Sequence, residues 1–159
     1  MIVVPDAGPL IYPAGSGHLE LLPALYSQVV VPQIVFDEIV VAGAGVTGAP
    51  EVEGANWLQV EDVPAEPSLL ATLDRGEAAA IPLAERLGAT LLADDARARE
   101  VARDRGLVVI GTLGVLLVAK KKGLLGAVGP VVLRMEAMGM FVSVELRQAV
   151  LAAAAEHDR

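Results

Sequence analysis

The chain of 159 residues contains no cysteine, few aromatic residues and few basic ones. Without cysteine, neither disulfides nor thiolate metal sites can form. Because aromatic residues make up only 3% of the chain, its core has to be built from Val, Leu, Ile and Ala. The 12 basic residues are outnumbered by 20 acidic ones, and the formal net charge is −8. That charge argues against a protein that coats nucleic acid, although an enzyme can still act on nucleic acid through a local basic patch.

Long hydrophobic runs are missing as well, so no segment is expected to cross a membrane. The most apolar stretch, 107–119, is too short and is interrupted by glycines. The N-terminal apolar run has no basic region before it and ends at Asp6, unlike a signal peptide. With 54% hydrophobic residues, a chain of this length suits one domain over 1–159. We therefore expect a cytoplasmic, single-domain protein without a membrane partner.

Short apolar runs alternate with helical segments along the chain. The predicted strands are 2–5, 29–31, 57–60, 91–93 and 107–110. The predicted helices are 16–26, 32–41, 74–87, 96–105, 112–122 and 143–156, and 41–67 is expected to be irregular. Ser16 and Thr112 are expected to cap the helices that they begin. Glycines that commonly end helices follow three of them, at Gly88, Gly106 and Gly123. This alternation predicts a parallel α/β sheet.

Acidic residues stand directly after two of the predicted strands. Asp6 follows the first strand, and Asp94 and Asp95 follow the strand at 91–93. In open α/β sheets the functional crevice lies at the carboxyl ends of the strands. Carboxylates gathered there repel one another, and such a cluster normally holds a cation. Taken alone, Asp6 is explained about equally well by a structural role, as a turn residue or a helix cap, and by a functional role.

Two glutamates are candidates to join these aspartates, and each has a structural explanation too. Glu77 stands three residues after Asp74, which is the spacing of a capping box at a helix start. Taken alone, the capping role is favoured, although a first helical turn can also face the crevice. Glu38 lies beside Asp37 in a predicted helix, and the periodicity does not decide which of the two faces the core.

The available ligand types favour Mg²⁺ or Mn²⁺ over zinc. Carboxylate oxygens suit these hard cations, whereas His18 and His157 have no partner at the spacing of a zinc site. Two basic clusters, at positions 97–105 and 120–122, could hold phosphates if they lie near the acidic crevice. Their structural explanations are a solvated helix face and a favourable interaction with a helix C-terminus.

Five segments of the chain carry a resemblance to a known family. They are 6–11, 31–38, 73–78, 92–99 and 111–117. The most specific are Arg-Gly-Glu-Ala at 75–78 and Gly-Thr-Leu-Gly-Val-Leu-Leu at 111–117. In this order they resemble the PIN-domain family, and within it a small prokaryotic branch of PIN-like nucleic-acid-binding proteins. The resemblance covers roughly residues 1–150. Two features depart from it: Tyr12-Pro13 replaces aliphatic residues, and Pro82 is expected to bend the helix that carries Glu77.

The resemblance implies a PIN-like three-layer α/β fold, with a central parallel sheet of about five strands and helices on both faces. It implies a Mg²⁺ or Mn²⁺ site with Asp6, Glu38, Glu77 and Asp94 as catalytic acids, and Asp95 competes with Asp94 as a metal ligand. PIN domains are typically ribonucleases, and many are VapC-type toxins. We therefore expect a metal-dependent endoribonuclease acting on RNA, with a toxin role, a small antitoxin partner and a homodimeric state as further options.

Two alternatives stay open. The first is a non-catalytic PIN-like domain that binds RNA or a protein. The second is a phosphatase of the haloacid-dehalogenase type, with Asp6 as nucleophile, Lys120 as the lysine and Asp94 and Asp95 on a metal ion. That class has a second acid two residues after the nucleophile, where this chain has Gly8.

Overall fold

The structure is a computed structural model that describes residues 1–156, and its centre is a single parallel sheet. Its strands are β1 (Ile2–Pro5), β2 (Gln28–Pro32), β3 (Leu58–Glu61), β4 (Thr90–Leu92) and β5 (Val109–Ile110). They lie in the order β3-β2-β1-β4-β5, and every neighbouring pair is parallel. The predicted α/β class and the sheet of about five strands are thus confirmed. His157, considered above as a ligand, lies outside the described residues.

Helices cover both faces of this sheet. They are α1 (Ala7–Gly15), α2 (Leu21–Leu25), α3 (Gln33–Val40), α4 (Ala49–Glu53), α5 (Arg75–Leu87), α6 (Ala96–Asp104), α7 (Thr112–Lys121), α8 (Gly129–Ala137) and α9 (Val144–Ala153), with a 3-10 turn at Pro67–Leu69. Helix α5 extends through Pro82. The three glycines predicted to end helices have left-handed backbones, with φ of +61° at Gly88, +82° at Gly106 and +76° at Gly123. No helix within 1–156 is long and apolar enough to span a membrane.

Two hydrophobic clusters lie on opposite faces of the sheet because successive strand residues point to opposite sides. Val3 packs on one side with residues of α1 and α3, including Leu10 and Val35. Val4 packs on the other side with residues of α5, including Ile81. A third cluster joins α7, α8 and α9. This arrangement leaves the carboxyl edge of the sheet between the starts of several helices.

The first helix differs from the prediction. A helix was expected over 16–26, and α2 (Leu21–Leu25) forms in the second half of that range. Helix α1, which begins directly after Asp6 and ends at Gly15, was not predicted. It contains Pro9 and Pro13, and proline has no N–H to donate. Pro9 lies in the first turn, where no intrahelical donor is needed, and Leu10 and Ala14 are buried. Ser16 follows the helix, and its hydroxyl donates to the carbonyl of Pro13 at 3.1 Å instead of capping a helix start.

Two further helices were not predicted. Helix α4 lies inside the stretch 41–67 that was expected to be irregular, and it follows Gly48, whose φ is +98°. Helix α8 begins with Gly129 and Pro130, a pair that by itself indicates a turn. Both helices have proline in their first turn, where its fixed φ suits a helix and its missing N–H costs nothing.

Candidate functional site

Asp6 and Asp94 follow neighbouring strands at the same edge of the sheet. Strands β1 and β4 pair in parallel with Pro5 opposite Leu92, and the backbone N–H of Asp6 donates to the carbonyl of Leu92 at 2.8 Å. Asp6 occupies the N-cap position of α1, yet its side chain makes no capping hydrogen bond there. The carboxyl group of Asp6 is therefore not consumed by the helix cap that the sequence offered as its alternative role.

Four carboxyl groups form what we call the acidic cluster: Asp6, Glu38, Asp74 and Glu77. Glu38 comes from α3, whereas Asp74 and Glu77 lie at the start of α5. Asp6 is close enough to the other three that their charges each raise its pKa. Asp6 and Glu77 line one narrow crevice whose remaining lining is apolar: Ala80, Ile81, Leu91, Ala93 and Ala98. Because this crevice has no room for a water molecule, a hydrated ion would lie outside it.

Three members of the acidic cluster, Asp6, Glu38 and Glu77, lie in an environment that favours their neutral form. Burial raises the pKa of Asp6 from 3.8 to about 7, and the charges of its acidic neighbours add to this, while the backbone amide of Ala7 opposes it. Burial also raises the pKa of Glu77 from 4.5 to about 7. The pKa of Glu38 is raised by burial and by the charge of Asp74, against Arg75 and the backbone amide of Gly76. A bound cation would favour the ionised forms and release protons.

Glu77 combines the two roles that the sequence left open. Its Oε1 accepts the backbone N–H of Asp74 at 3.1 Å, and Oδ1 of Asp74 accepts the N–H of Glu77 at 2.8 Å. This reciprocal pair is the predicted capping box. Glu77 is only 8% exposed, and the hydrogen bonds of the described residues leave its Oε2 unused. One oxygen thus caps α5, while the other has no hydrogen-bond partner among the described residues.

Of the neighbouring Asp37 and Glu38, it is Glu38 that belongs to the acidic cluster. Oδ1 of Asp37 instead accepts from Nε2 of Gln33 at 2.8 Å within α3. The carboxylate of Glu38 lies against Gly76, where a Cβ would stand 2.9 Å from Oε1 and 3.2 Å from Oε2. Glycine at position 76 therefore allows α3 to bring this carboxylate against the start of α5.

Asp94 is held at the start of α7. Its Oδ1 accepts the backbone N–H of Thr112 at 2.7 Å, and its Oδ2 accepts the hydroxyl of Thr112 at 2.6 Å. A Cβ on Gly8 would lie 2.9 Å from Oδ2, and one on Gly111 would lie 3.1 Å from Oδ1. Asp94 therefore lies between the first turns of α1 and α7, where the positive end of a helix dipole favours its charge.

The prediction that Thr112 caps α7 with its own side chain is wrong. Gly111 is the N-cap residue, and Thr112 is the first residue of the helix, so its N–H has no partner within the helix. Asp94 supplies that partner from 18 residues away.

Asp95 starts α6 and has a structural role of its own. Its Oδ2 accepts the N–H of Ala98 at 2.9 Å, as an N-cap residue does. Its charge nevertheless contributes to the raised pKa of Glu77, so Asp95 lies near that side of the acidic cluster. Neither Asp94 nor Asp95 is among the charges that act on Asp6.

The donor set suits a hard cation in chemical type, but it does not surround one. Within the described part of the chain, no three Asp, Glu or His side chains are close enough together to hold one ion directly. The acidic cluster nevertheless offers carboxylate oxygens whose raised pKa values reflect burial and like charges. Because Mg²⁺ keeps several of its waters and takes only one or two protein carboxylates, one or two of these carboxyl groups suffice to hold such an ion.

The contribution of several residues to this site was not predicted from the sequence. Asp74 was considered only as a cap, and Gly8, Gly76 and Gly111 were not considered as contacts of the acids. Each of the three glycines lies within a segment that carries the resemblance. Gly8 follows Asp6 by two positions, Gly76 directly precedes Glu77, and Gly111 directly follows β5, which lies beside the strand that precedes Asp94. Nothing in the spacing indicated which acid each glycine would contact.

Comparison with known proteins identifies the family of the chain. A family model described as a PIN domain matches residues 2–156. The chain belongs to the PIN-domain family. A solved structure similar to this PIN domain is a PilT N-terminus domain protein from the hyperthermophilic archaeon Sulfolobus solfataricus P2, with a TM-score of 0.54 and 21% identity over 73% of this chain and 91% of that chain. At this identity the likeness shows the fold alone. No curated protein is significantly similar to the chain.

Family membership has a consequence for chemistry. PIN domains are typically nucleases and generally use divalent metal ions. It also removes the haloacid-dehalogenase-type alternative. Lys120, the lysine proposed for that reaction, donates to Oε2 of Glu156 at 2.7 Å. Lys120 lies eight residues beyond Thr112 in α7, which is about 12 Å along the helix axis from the contact with Asp94.

Proposed function

We propose that this PIN domain is a metal-dependent endoribonuclease that hydrolyses phosphodiester bonds of RNA beside the acidic cluster. One observation carries the proposal: the carboxyl groups of Glu38 in α3 and of Glu77 in α5 lie near enough to that of Asp6, which follows β1, for their charges to interact with it at the carboxyl edge of the sheet, where parallel α/β folds place their ligands. Burying like charges together is costly unless a cation or a proton neutralises them. A nuclease family that generally uses divalent ions supplies a reason for keeping such a cluster.

Asp6 and Glu77 are the residues that would hold the ion, through the carboxyl group of Asp6 and the unused Oε2 of Glu77. When bound, Mg²⁺ or Mn²⁺ supplies positive charge that acidifies the attacking water and stabilises the leaving oxygen. The side chain of Glu38 is exposed as a whole, but partial burial of its carboxyl group and the charge of Asp74 raise its pKa. In this proposal Glu38 accepts a proton from the water as its oxygen attacks phosphorus, and the bond from phosphorus to the leaving oxygen breaks.

Asp94 and Thr112 complete the proposed site from the opposite side. The two hydrogen bonds to Thr112 fix the orientation of Asp94, as residues behind a metal ligand commonly do. We keep both Asp94 and Asp95 in the proposed metal set, because each accepts hydrogen bonds at a helix start, Asp94 from Thr112 and Asp95 from Ala98, and these bonds favour neither residue.

The test is a cleavage assay on a labelled single-stranded RNA pool of mixed sequence. We expect the wild-type protein to cut RNA with Mg²⁺ or Mn²⁺ and to stop when a chelator is added. Asp6→Asn and Glu77→Gln should each lower the rate by at least about a hundredfold, since each removes a ligand charge. Asp62→Asn, at an exposed position, is the matched control and should cut at the wild-type rate. Metal-independent cleavage, or full activity in Asp6→Asn, would contradict the proposal.

A second candidate is a PIN domain that binds RNA or a protein without cutting. The observation in its favour is that no three carboxylates in the described residues close around one ion. The same assay separates the two, because this candidate leaves the RNA pool intact while retaining it in a binding measurement.

We also propose a toxin role with a small antitoxin. Co-expression tests it: growth arrest should need Asp6 and should be relieved by the antitoxin. The homodimer is also a prediction, which light scattering tests by measuring the molar mass of the protein in solution.

A further inference from the structure

The arginines of α6 and its C-terminal end differ in their partners. Arg97 pairs with Glu100 at 3.7 Å, and Arg105 pairs with Glu66 and with Glu85, the latter at 3.0 Å. Among residues 1–156, Arg99 and Arg103 form no ion pair with a carboxylate. Arg75, Arg134, Lys121 and Lys122 form none either within residues 1–156. What distinguishes Arg99 and Arg103 is that they lie four residues apart on one helix, with Arg99 at the carboxyl edge of the sheet.

Arg99 lies at the carboxyl edge of the sheet, on the side of Asp94. Its Nη1 donates to the carbonyl of Ala93 at 2.9 Å, and a Cβ on Gly111 would stand 2.8 Å from the same nitrogen. The guanidinium is thus drawn towards the turn that precedes α7. The hydrogen bonds found in the described residues occupy only this nitrogen, so the rest of the planar fork is available to a ligand.

Arg103 lies one helical turn further along α6 and is exposed. Its charge acts on Arg99: the pKa of the Arg99 guanidinium is lowered by burial and by Arg103, while Asp94 opposes the change. Like charges four residues apart on a helix destabilise it. An anion between or beside the two guanidinium groups would convert this repulsion into attraction.

We propose that Arg99 and Arg103 bind successive phosphates of the RNA and so direct its backbone along α6 to the carboxyl edge of the sheet. The proposal rests on the proposed function, because RNA is the polyanion that the function brings to this edge. A protein of net charge −8 needs local positive charge to retain RNA at an acidic site. The arginine fork matches the geometry of a phosphate with two parallel hydrogen bonds. Arg97 and Arg105, already paired with glutamates, take no part.

The test measures binding of a fluorescently labelled single-stranded RNA by anisotropy, between about 50 and 300 mM salt. Asp6→Asn serves as the parent protein, so that RNA stays intact. In this parent, Arg99→Ala and Arg103→Ala should each weaken binding roughly three- to tenfold. Each should also lower the slope of log affinity against log salt by about 0.7, the value for one lost contact to a single strand. Arg99→Lys should keep the slope because it keeps the charge, and Arg97→Ala, the matched control, should change neither quantity.

A purely structural role for Arg99 predicts a different pattern, in which stability falls and the salt slope stays constant. That pattern, or a parent protein that does not bind RNA at the lowest salt, would overturn the proposal. If Arg99→Ala does not fold, Arg103→Ala decides, because its side chain is exposed and an unchanged slope there is equally fatal. Wild-type cleavage with no effect of either arginine would reject this inference alone. A dependence of binding on the arginines without any cleavage would reject the nuclease function alone.

Discussion

Replacing Asp6 with asparagine should stabilise the metal-free protein at about pH 8. The reason lies in the acidic cluster, where the Asp6 carboxylate is half-buried among Glu38, Asp74 and Glu77. Asparagine has nearly the same shape but carries no charge, so it removes the repulsion without leaving a cavity. A substitution at the centre of a proposed active site is thereby expected to raise the free energy of unfolding.

The size of the effect follows from the pKa of Asp6, which is raised from 3.8 to about 7. About three pKa units correspond to about 4 kcal/mol between the ionised and neutral forms. An asparagine amide in the same place still loses its water, at roughly 1–3 kcal/mol. The net gain is therefore about 1–3 kcal/mol, and each kcal/mol raises the melting temperature of a domain of this size by about 2–4 °C.

The sign of the pH dependence is fixed by the raised pKa. Between pH 3.8, the ordinary pKa, and about pH 7, the folded protein binds more protons at Asp6 than the unfolded chain does. Wild-type stability from this group is therefore greatest below that range and falls as the pH rises through it. Between about pH 8 and pH 5 the difference in unfolding free energy between the asparagine variant and the wild type should fall by about 3 kcal/mol, which is about two pKa units. At about pH 5 the variant should therefore be no more stable than the wild type.

The assay is urea unfolding of both proteins in the presence of a chelator, at several pH values. Asp62→Asn is the control, because that side chain is exposed, and it should change stability by no more than about 0.5 kcal/mol. Destabilisation by Asp6→Asn at about pH 8, or a gain that does not depend on pH, would refute the reasoning.

Three further predictions concern other contacts. Gly76→Ala should cut RNA at least about tenfold more slowly because its Cβ would displace the Glu38 carboxylate, while thermal melting changes little; Gly126→Ala, with no atom within 4 Å of its Cβ, is the control, and equal rates would contradict the contact. Glu156→Gln should destabilise the fold by roughly 1–3 kcal/mol. Burial opposes ionisation of Glu156, yet Lys120 and the N–H groups at the start of α8 lower its pKa to about 2. The stability that ionised Glu156 contributes is therefore present above pH 4.5 and should be lost as the pH falls towards 2. Urea unfolding measures it, with Glu145→Gln as an exposed control. Binding of Mn²⁺ at about pH 7 should release protons, because Asp6 and Glu77 have pKa values of about 7; calorimetry in two buffers of different ionisation enthalpy detects this, and equal heats would count against ligation by these two residues.

The strands and the capping box could be predicted from the sequence because their signals are local. The run Ile2–Pro5 is short, apolar and buried on both faces, and Asp74 and Glu77 are only three residues apart. Helix α1 could not be predicted in the same way. Its two prolines argue against a helix, and what favours the helix is the packing of Leu10 and Ala14 against the sheet.

The arrangement of the acids depends on contacts that are distant in sequence. Asp94 bonds to Thr112 across 18 positions, and Glu38 meets Gly76 only because α3 and α5 pack together. The resemblance indicated which acids to consider, but it did not separate the roles of Asp94 and Asp95. Each of the two accepts hydrogen bonds at the start of a different helix, and these contacts are visible only in the structure.

The central claim is that the acidic cluster binds the divalent ion on which cleavage depends. A crystal of the wild-type protein soaked in Mn²⁺ tests it directly, because manganese can be located by its anomalous scattering. We expect an anomalous peak at about 2.0–2.4 Å from a carboxylate oxygen of Asp6, and no such peak in crystals of Asp6→Asn. A manganese ion bound elsewhere, with none beside Asp6 in the wild-type protein, would contradict it.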